Sequence, residues 1–358
     1  MKESGNILET RSNNFNILRF LAALMVMAGH MGYILGTSVP QLWGEQLHIL
    51  GVRIFFLIGG FLITRSWLSD PHFLRYLIKR CSRIWPALIA YVLFVTLIAG
   101  PLITSFPVRA YFTNSGMTGY LKNIIFYIEY SLPGVFYTNP YPYAVNGSLW
   151  TLPVEMIMYF AVPFIILLSR LKNGSKSSYC ILSGVVLFIC ILQILHLHFF
   201  PQWRYVIYGT DIAQALNLIP YYLIGMFYSF PFVKKYLNLQ VAAAIFMLYS
   251  CFSPGYMINE ILMFVVLPYF VFSFALADNA CFAKCFVKTE ISYGLYLYGF
   301  FIQQLVVWLL LKNNITCIPA VLVFIISVAL TIVCAVLSYR LVEESAAKLS
   351  KKILQKIK

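Results

Sequence analysis

The chain has 358 residues, of which 61% are hydrophobic and only 11% charged, and its mean hydropathy is +0.81. A soluble fold of this length has no use for so much apolar surface, and repeated apolar runs of about 20 residues indicate an all-α, polytopic membrane protein. The formal net charge of +14 does not indicate nucleic acid, because the bases sit in short segments between apolar runs, where positive-inside orientation accounts for them.

The polar start, 1–13, leads into the first apolar run with no small-residue cleavage site behind it, so we expect a short cytoplasmic segment, 1–14, and a first helix retained as a signal anchor. About ten spans are predicted, near 15–36, 48–67, 84–105, 149–169, 179–199, 210–229, 239–253, 258–277, 290–311 and 317–341. With the N-terminus inside, twenty Lys and Arg fall in inner connections and four (Arg109, Lys122, Arg204, Lys312) in outer ones; Arg19 and Arg53 lie within spans. This asymmetry predicts both termini in the cytoplasm. The spans form one membrane domain, 15–341, and 342–358 reads as a basic, amphipathic cytoplasmic tail on the inner leaflet.

The first span carries Arg19 and His30, eleven residues apart. At about 100° per residue that is three turns plus roughly 20°, so both lie on one helix face, roughly 16 Å apart in depth. A neutral imidazole can take a proton from a hydroxyl and later return one. Arg19 is either an anion clamp facing the cytoplasm or a side chain snorkelling to lipid phosphates. Arg53, near the outer end of the second span, is predicted at the depth of His30. There it pairs with Glu155, stabilises a developing oxyanion, or snorkels outward.

The inner connection ahead of the third span holds Arg75, Lys79, Arg80 and Arg83 at three- to four-residue spacing. Such a helical face grips phosphate through its arginines, or serves topology and anionic lipid. The long outer connection, 106–148, mixes Tyr, Pro, Asn and Gly, which suits stacking on sugar rings or lying in the headgroup zone. Asn146-Gly147-Ser148-Leu149-Trp150-Thr151-Leu152-Pro153-Val154-Glu155 then enters the fourth span, whose sole carboxylate is Glu155. It is predicted near the outer side, orienting His30, binding a hydroxyl, or pairing with Arg53. The Asn146-Gly147-Ser148 sequon is a weak three-residue match. The eight cysteines make no outer framework, so reduced thiols are expected, and Cys281/Cys285 has no histidine near it, so no metal is expected.

Five of these pieces, in order, resemble the integral-membrane acyltransferase family three, the polysaccharide O-acetylases of bacterial inner membranes. They are Arg19 to His30, with its arginine–ten residues–histidine spacing; Gly51 to Thr64; Arg80-Cys81-Ser82-Arg83 with Pro86; Ser148 to Glu155; and Ile291 to Tyr298, a late SYxLYL-like helix. The resemblance covers essentially the whole chain. It implies ten helices, acetyl-CoA as donor, a glycan or lipid-linked saccharide hydroxyl as acceptor, and no part for nucleic acid or metal. It further implies His30 as general base with Glu155 and Arg19 in the site, and Arg80 and Arg83, with Arg75 and Lys79, near the coenzyme's phosphates. Ser148, Trp150 and Arg53 then stand toward the substrate or oxyanion. Two departures are expected to matter. Many members carry a histidine after the LYL segment, where this chain has Gly299, so the weight falls on His30. Many also carry an extracytoplasmic hydrolase-like domain, which is not seen here, so the chain resembles the stand-alone form. The alternative, a transporter or flippase for a glycan or lipid-linked substrate, predicts inverted repeats or paired broken helices, and the sequence has neither.

Overall fold

The computed structural model describes residues 13–169, 176–200, 202–252, 255–277, 290–315 and 318–357. The segment through Arg11, the connection holding Arg170 and Lys172, and the Cys281/Cys285 pair lie outside the described residues.

Helix α1 (Phe15–Leu35) ends where Gly36 takes a left-handed conformation, φ 65°, and returns its N–H to the carbonyls of Gly32 and Tyr33. A two-residue hairpin, β1 (Gln41–Leu42) and β2 (Glu45–Gln46), turns through Trp43 and Gly44, both at positive φ, and hands the chain directly to α2 (Leu47–Ser69). Helix α3 (Phe73–Phe94) continues through a π turn (Val95–Ala99) and a last helical turn (Gly100–Ile103). In that π turn the Gly100 N–H reaches back five residues to Val95, and the Tyr111 hydroxyl donates to the Thr96 carbonyl at 2.7 Å.

The connection 106–148 carries α4 (Val108–Thr113), α5 (Ser115–Leu121) and a 3-10 turn (Lys122–Ile125), and then folds back onto the bundle in irregular backbone. Helix α6 (Thr151–Leu168) follows, then α7 (Lys176–Phe199). A second hairpin, β3 (Val206–Ile207) with β4 (Thr210–Asp211), turns at Tyr208-Gly209 and again leads straight into a helix, α8 (Ile212–Leu216). The rest is α9 (Ile219–Tyr228), α10 (Leu239–Ser250), α11 (Tyr256–Ala275), α12 (Ser292–Lys312), α13 (Ala320–Ser338) and, after a second π turn, α14 (Glu344–Lys356).

The centre is α1, α2, α9 and α12. In α12, 72% of the apolar window is buried and in α2 67%, against 11% in Tyr179–Phe199, so α7 belongs to the lipid-facing rim. Helices α2 and α9 touch backbone to backbone at Gly60 and Gly225. A methyl at Gly60 would lie 2.0 Å from the Tyr222 carbonyl oxygen, and one at Gly225 2.1 Å from that of Leu57. Small residues permit this approach where lipid offers no hydrophobic drive.

Among the described residues eight helices are long and apolar enough to cross a membrane, as a multi-pass membrane protein requires. Three expected spans take another form. The run at 210–229 breaks into α8 and α9 at Asn217-Leu218, just ahead of Pro220, and the run at 239–253 yields a helix of 12 residues. The third span starts at Phe73 and not near 84, so the basic stretch expected as a connection forms the first turns of α3. The tail segment α14 packs on α3, with Ser350 and Ser82 hydroxyls 3.1 Å apart.

Candidate functional site

Two pockets open into the centre, one toward the Arg19 end of α1 and one toward the His30 end. The first is a slot of about 130 Å³ lined by Arg19, by Arg80 and Arg83 of α3, and by Glu155, one turn into α6. Arg19 and Arg83 converge on Glu290, which stands just before α12; the Arg83 contact is 2.6 Å. Burial pushes the Glu290 carboxyl up, but the two guanidinium groups outweigh it and hold the group below the usual carboxylate range. Arg80 reaches the Ser66 hydroxyl at 3.4 Å, while its buried Nε has no hydrogen-bond partner among the described residues. The Tyr159 hydroxyl donates to Glu155. Three guanidinium groups thus line a slot with a single carboxylate in its wall.

The second pocket is about 810 Å³ and of different chemistry. His30, His48, Ser148, Trp150 and the ring-rich Tyr141–Tyr143 segment line it, with Arg204, Gln214 and Asn217 at its margin. Its shape depends on the connection 106–148, which buried amides pin to α12. Asn139 donates to the backbone and side-chain oxygens of Gln304 at 2.9 Å, and Gln304 donates to the carbonyls of Tyr141 and Ala144 at 2.8 Å. Asn146, fully buried, donates to the Tyr91 hydroxyl and the Leu297 carbonyl at 2.8 Å and accepts from the Ser148 N–H at 2.9 Å. The sequon asparagine is therefore an anchor inside the fold.

The two pockets share Val52 and Tyr296 in their linings. The Tyr296 hydroxyl donates to the Ser148 carbonyl at 2.6 Å and lies 2.5 Å from the Thr151 hydroxyl, so the ring is tethered to the entry of α6. Arg19 and His30 come from one helix but face different pockets across this wall.

Three sequence expectations are corrected. Arg53 lines neither pocket. It is 2% exposed and bonds both oxygens of Glu260 at 3.0 Å and Glu45 at 3.1 Å, with its guanidinium 4.9 Å over the Tyr221 ring. Glu155, predicted near His30 and as a partner of Arg53, lies among the arginines instead. The reason is the entry of α6: the Thr151–Tyr296 bond sets its first turn beside the early turns of α12, so Glu155 reaches the pocket that Ser292 and Tyr293 also line. Arg75 and Lys79 stand apart from Arg80 and Arg83. They bind Asp70 at 2.6 and 2.8 Å, and these hydrogen bonds draw the Asp70 carboxyl down. At about 100° per residue the four bases fan over an arc of some 140°, with Arg75 at one edge and Arg80 at the other; the Asp70 contacts, not the helix period, hold the first two away from the slot.

Residues 12–340 match the model of an acyltransferase domain, acyltransferase family 3. The chain belongs to that family. An O-acetyl transferase of Shigella phage Sf6 is 26% identical over 306 residues, covering 83% of this chain and 86% of that protein. Nodulation protein 10 of Rhizobium leguminosarum bv. viciae is 32% identical over 175 residues, 43% of this chain and 44% of that protein. A regulator of hypoxia-inducible factor 1 from Caenorhabditis elegans is 25% identical over 187 residues, 44% of this chain and 35% of that protein. No solved structure matches the chain.

For this family-3 acyltransferase, sequence reasoning missed His48, Tyr296 and Glu290. His48 carried a readable signal, an imidazole just inside the second apolar run. Glu290 carried a weaker one, as a carboxylate at the edge of the ninth. Tyr296 lay inside the Ile291–Tyr298 motif, which marked the helix but did not single out this ring.

Proposed function

We propose that the chain transfers an acyl group, acetyl by default, from acetyl-CoA to a hydroxyl of a cell-surface or lipid-linked glycan, in a bacterial inner membrane. The observation that carries this reading is the pair of pockets of opposite character meeting at one thin wall. A slot of 130 Å³ suits a slender pantetheine arm, with Arg19, Arg80 and Arg83 for the nucleotide's phosphates. A pocket of 810 Å³ with aromatic rings and amides suits a sugar. The positive-inside asymmetry puts the basic pocket toward the cytoplasm, and the likeness to a phage O-acetyl transferase supports acetyl as the group moved.

In this reading the thioester reaches Tyr296 from the basic side and the acceptor hydroxyl meets it at His30. His30 takes the hydroxyl proton as the oxygen attacks the thioester carbon, and the carbon–sulfur bond then breaks. The protonated imidazole returns that proton to the leaving sulfur. Glu155, braced by Tyr159, keeps the guanidinium set in register and accepts from an amide N–H of the arm. Ser148 and Trp150 line the acceptor side; Arg53 has no contact with the chemistry.

The test compares O-acetyl content of the host's surface polysaccharide, by NMR, in wild type, a null strain and His30→Ala at equal membrane levels. Acetyl lost in both mutants is expected. Full acetylation in His30→Ala overturns the assignment of the base, and polysaccharide missing from the surface in the null strain points to transport instead.

A further inference from the structure

The proposed reaction uses one imidazole, yet the acceptor pocket holds two. His48, on the first turn of α2, faces His30 with ring centroids 5.1 Å apart and planes tilted by 36°. Ring edges hold the pair on both sides: Phe300 stands 5.1 Å from His30 and Tyr33 5.5 Å from His48, each edge-on. The approach is built into the backbone. A methyl at Gly29 would lie 2.5 Å from the His48 backbone nitrogen and 2.7 Å from its Nδ1, so only glycine lets α1 come this near.

That contact also sorts the two ring nitrogens of His48. Nδ1 is pressed toward Gly29, buried and without a hydrogen-bond partner among the described residues. A proton there would have no acceptor. We assign the proton of the neutral ring to Nε2, the other nitrogen of a side chain that lines the pocket, where it is a donor. As the acceptor oxygen attacks, the thioester carbonyl oxygen gains negative charge, and a fixed donor in a water-poor site stabilises it most.

We propose that His48 is a second catalytic residue of this transfer, a neutral imidazole whose Nε2–H donates to the thioester oxygen as it becomes an oxyanion. The hydroxyl proton passes to His30 and from there to sulfur. The new oxygen–carbon bond replaces the carbon–sulfur bond, and His48 keeps its proton throughout. The proposal rests on the reading of this pocket as the place of transfer.

The experiment uses the full chain in lipid nanodiscs, with acetyl-CoA and the acetyl-free host polysaccharide. Thiol release and acetyl transfer are followed for His48→Phe, His48→Gln, His48→Asn and His30→Gln. Coenzyme A binding at the distant basic pocket, within twofold of wild type, reports an intact fold. His48→Phe is expected to lower kcat by 10²–10³-fold with both KM values within a few-fold, the loss typical of one oxyanion donor. His48→Gln or His48→Asn, which keep an N–H, recovers at least tenfold of that loss and retains the wild-type pH profile; His30→Gln recovers nothing. A folded His48→Phe within threefold of wild type overturns the proposal. So does a folded pair of amide variants no better than His48→Phe, which keeps the test decisive if the ring variant does not fold. If His30→Gln is fully active too, the pocket assignment itself fails. If only the His30 variant is dead, the pocket stands and His48 is set aside.

Discussion

The buried Arg53 cluster makes a sharp energetic prediction. Arg53 is 2% exposed and Glu260 1%, and the third member, Glu45, is reached from the β1–β2 hairpin. One cation thus serves two carboxylates. Burial pushes the Glu45 carboxyl up, Arg53 pulls it down and Glu260 adds to the rise, with the net direction upward. At about 4 Å and an effective dielectric near 20, each attraction is about 4 kcal/mol. Glu260→Gln removes one attraction, relieves the repulsion from Glu45 and keeps a hydrogen-bonding amide, so its expected cost is about 2–3 kcal/mol. Arg53→Met removes both attractions and leaves two buried carboxylates facing each other, at about 4–5 kcal/mol. Replacing both members, Arg53→Met with Glu260→Gln, leaves no unpaired charge between them and is expected to be more stable than Arg53→Met alone. Thermal unfolding in detergent, read by size-exclusion fluorescence, checks the order. At about 2 °C per kcal/mol for a chain of this size, the single mutants should lie near 5 °C and 9 °C below wild type. A double mutant as unstable as the sum of the two singles would refute the charge argument and leave only lost packing.

The other predictions concern the pockets and the packing that holds them. Glu290 has its folded pKa below the ordinary value of 4.5, so its contribution to stability is present above that pH and is lost as pH falls below it. Melting temperature measured from pH 6 down to pH 3 should fall more steeply in wild type than in Glu290→Gln as pH drops below 4.5; parallel curves would remove the Arg19–Glu290–Arg83 cluster as the cause. Tyr296→Ala should widen the passage between the two pockets and admit water to the thioester, raising acceptor-independent hydrolysis of acetyl-CoA several-fold while transfer falls, as thiol release with and without acceptor will report. Gly60→Ala, whose new methyl would sit 2.0 Å from the Tyr222 carbonyl, should destabilise by about 3 kcal/mol or more, whereas Gly119→Ala, with nothing within 4 Å of its methyl, should leave expression and melting unchanged.

Hydropathy made the membrane class and most spans readable, because an apolar run must be helical where no water can satisfy its backbone. It did not locate helix ends. The start of α3 at Phe73 is a case: helix formation follows backbone hydrogen bonding, and the capping His72 side chain accepts from Arg75 well before the apolar run begins. The 3.6-residue period put Arg19 and His30 on one face of α1, and the fold does aim both inward. It could not foresee the Tyr296 wall between them, which depends on two elements about 145 residues apart in sequence meeting at Thr151. Depth was the weakest inference. Glu155 was placed by its distance from the start of an apolar run, which assumes that the helix starts at the membrane surface. Here the preceding loop folds into the bundle and Asn146 bonds Leu297, only two turns from the start of α12, so α6 begins deep. Arg53 was matched with Glu155, and nothing local in the sequence points instead to Glu260, 207 residues away.

The separation of charge from imidazole has a physical logic of its own. In the proposed reaction, an arginine set that binds phosphate near His30 would oppose the imidazolium formed there, since like charges in a low-dielectric interior repel strongly. With Arg19, Arg80 and Arg83 beyond Tyr296, and Arg19 and Arg83 partly neutralised by Glu290, that repulsion is kept away from the proton transfer. The same distance sets a requirement on the donor. Its charged end must stay with the arginines while its reactive end reaches His30, roughly 16 Å farther along α1, so only a donor with a long, uncharged and slender connector can serve both ends. A short acyl phosphate, whose charge adjoins its carbonyl, cannot. Under the proposed reaction the donor is thus selected by the span between the two pockets, and the acceptor by the width and lining of the second.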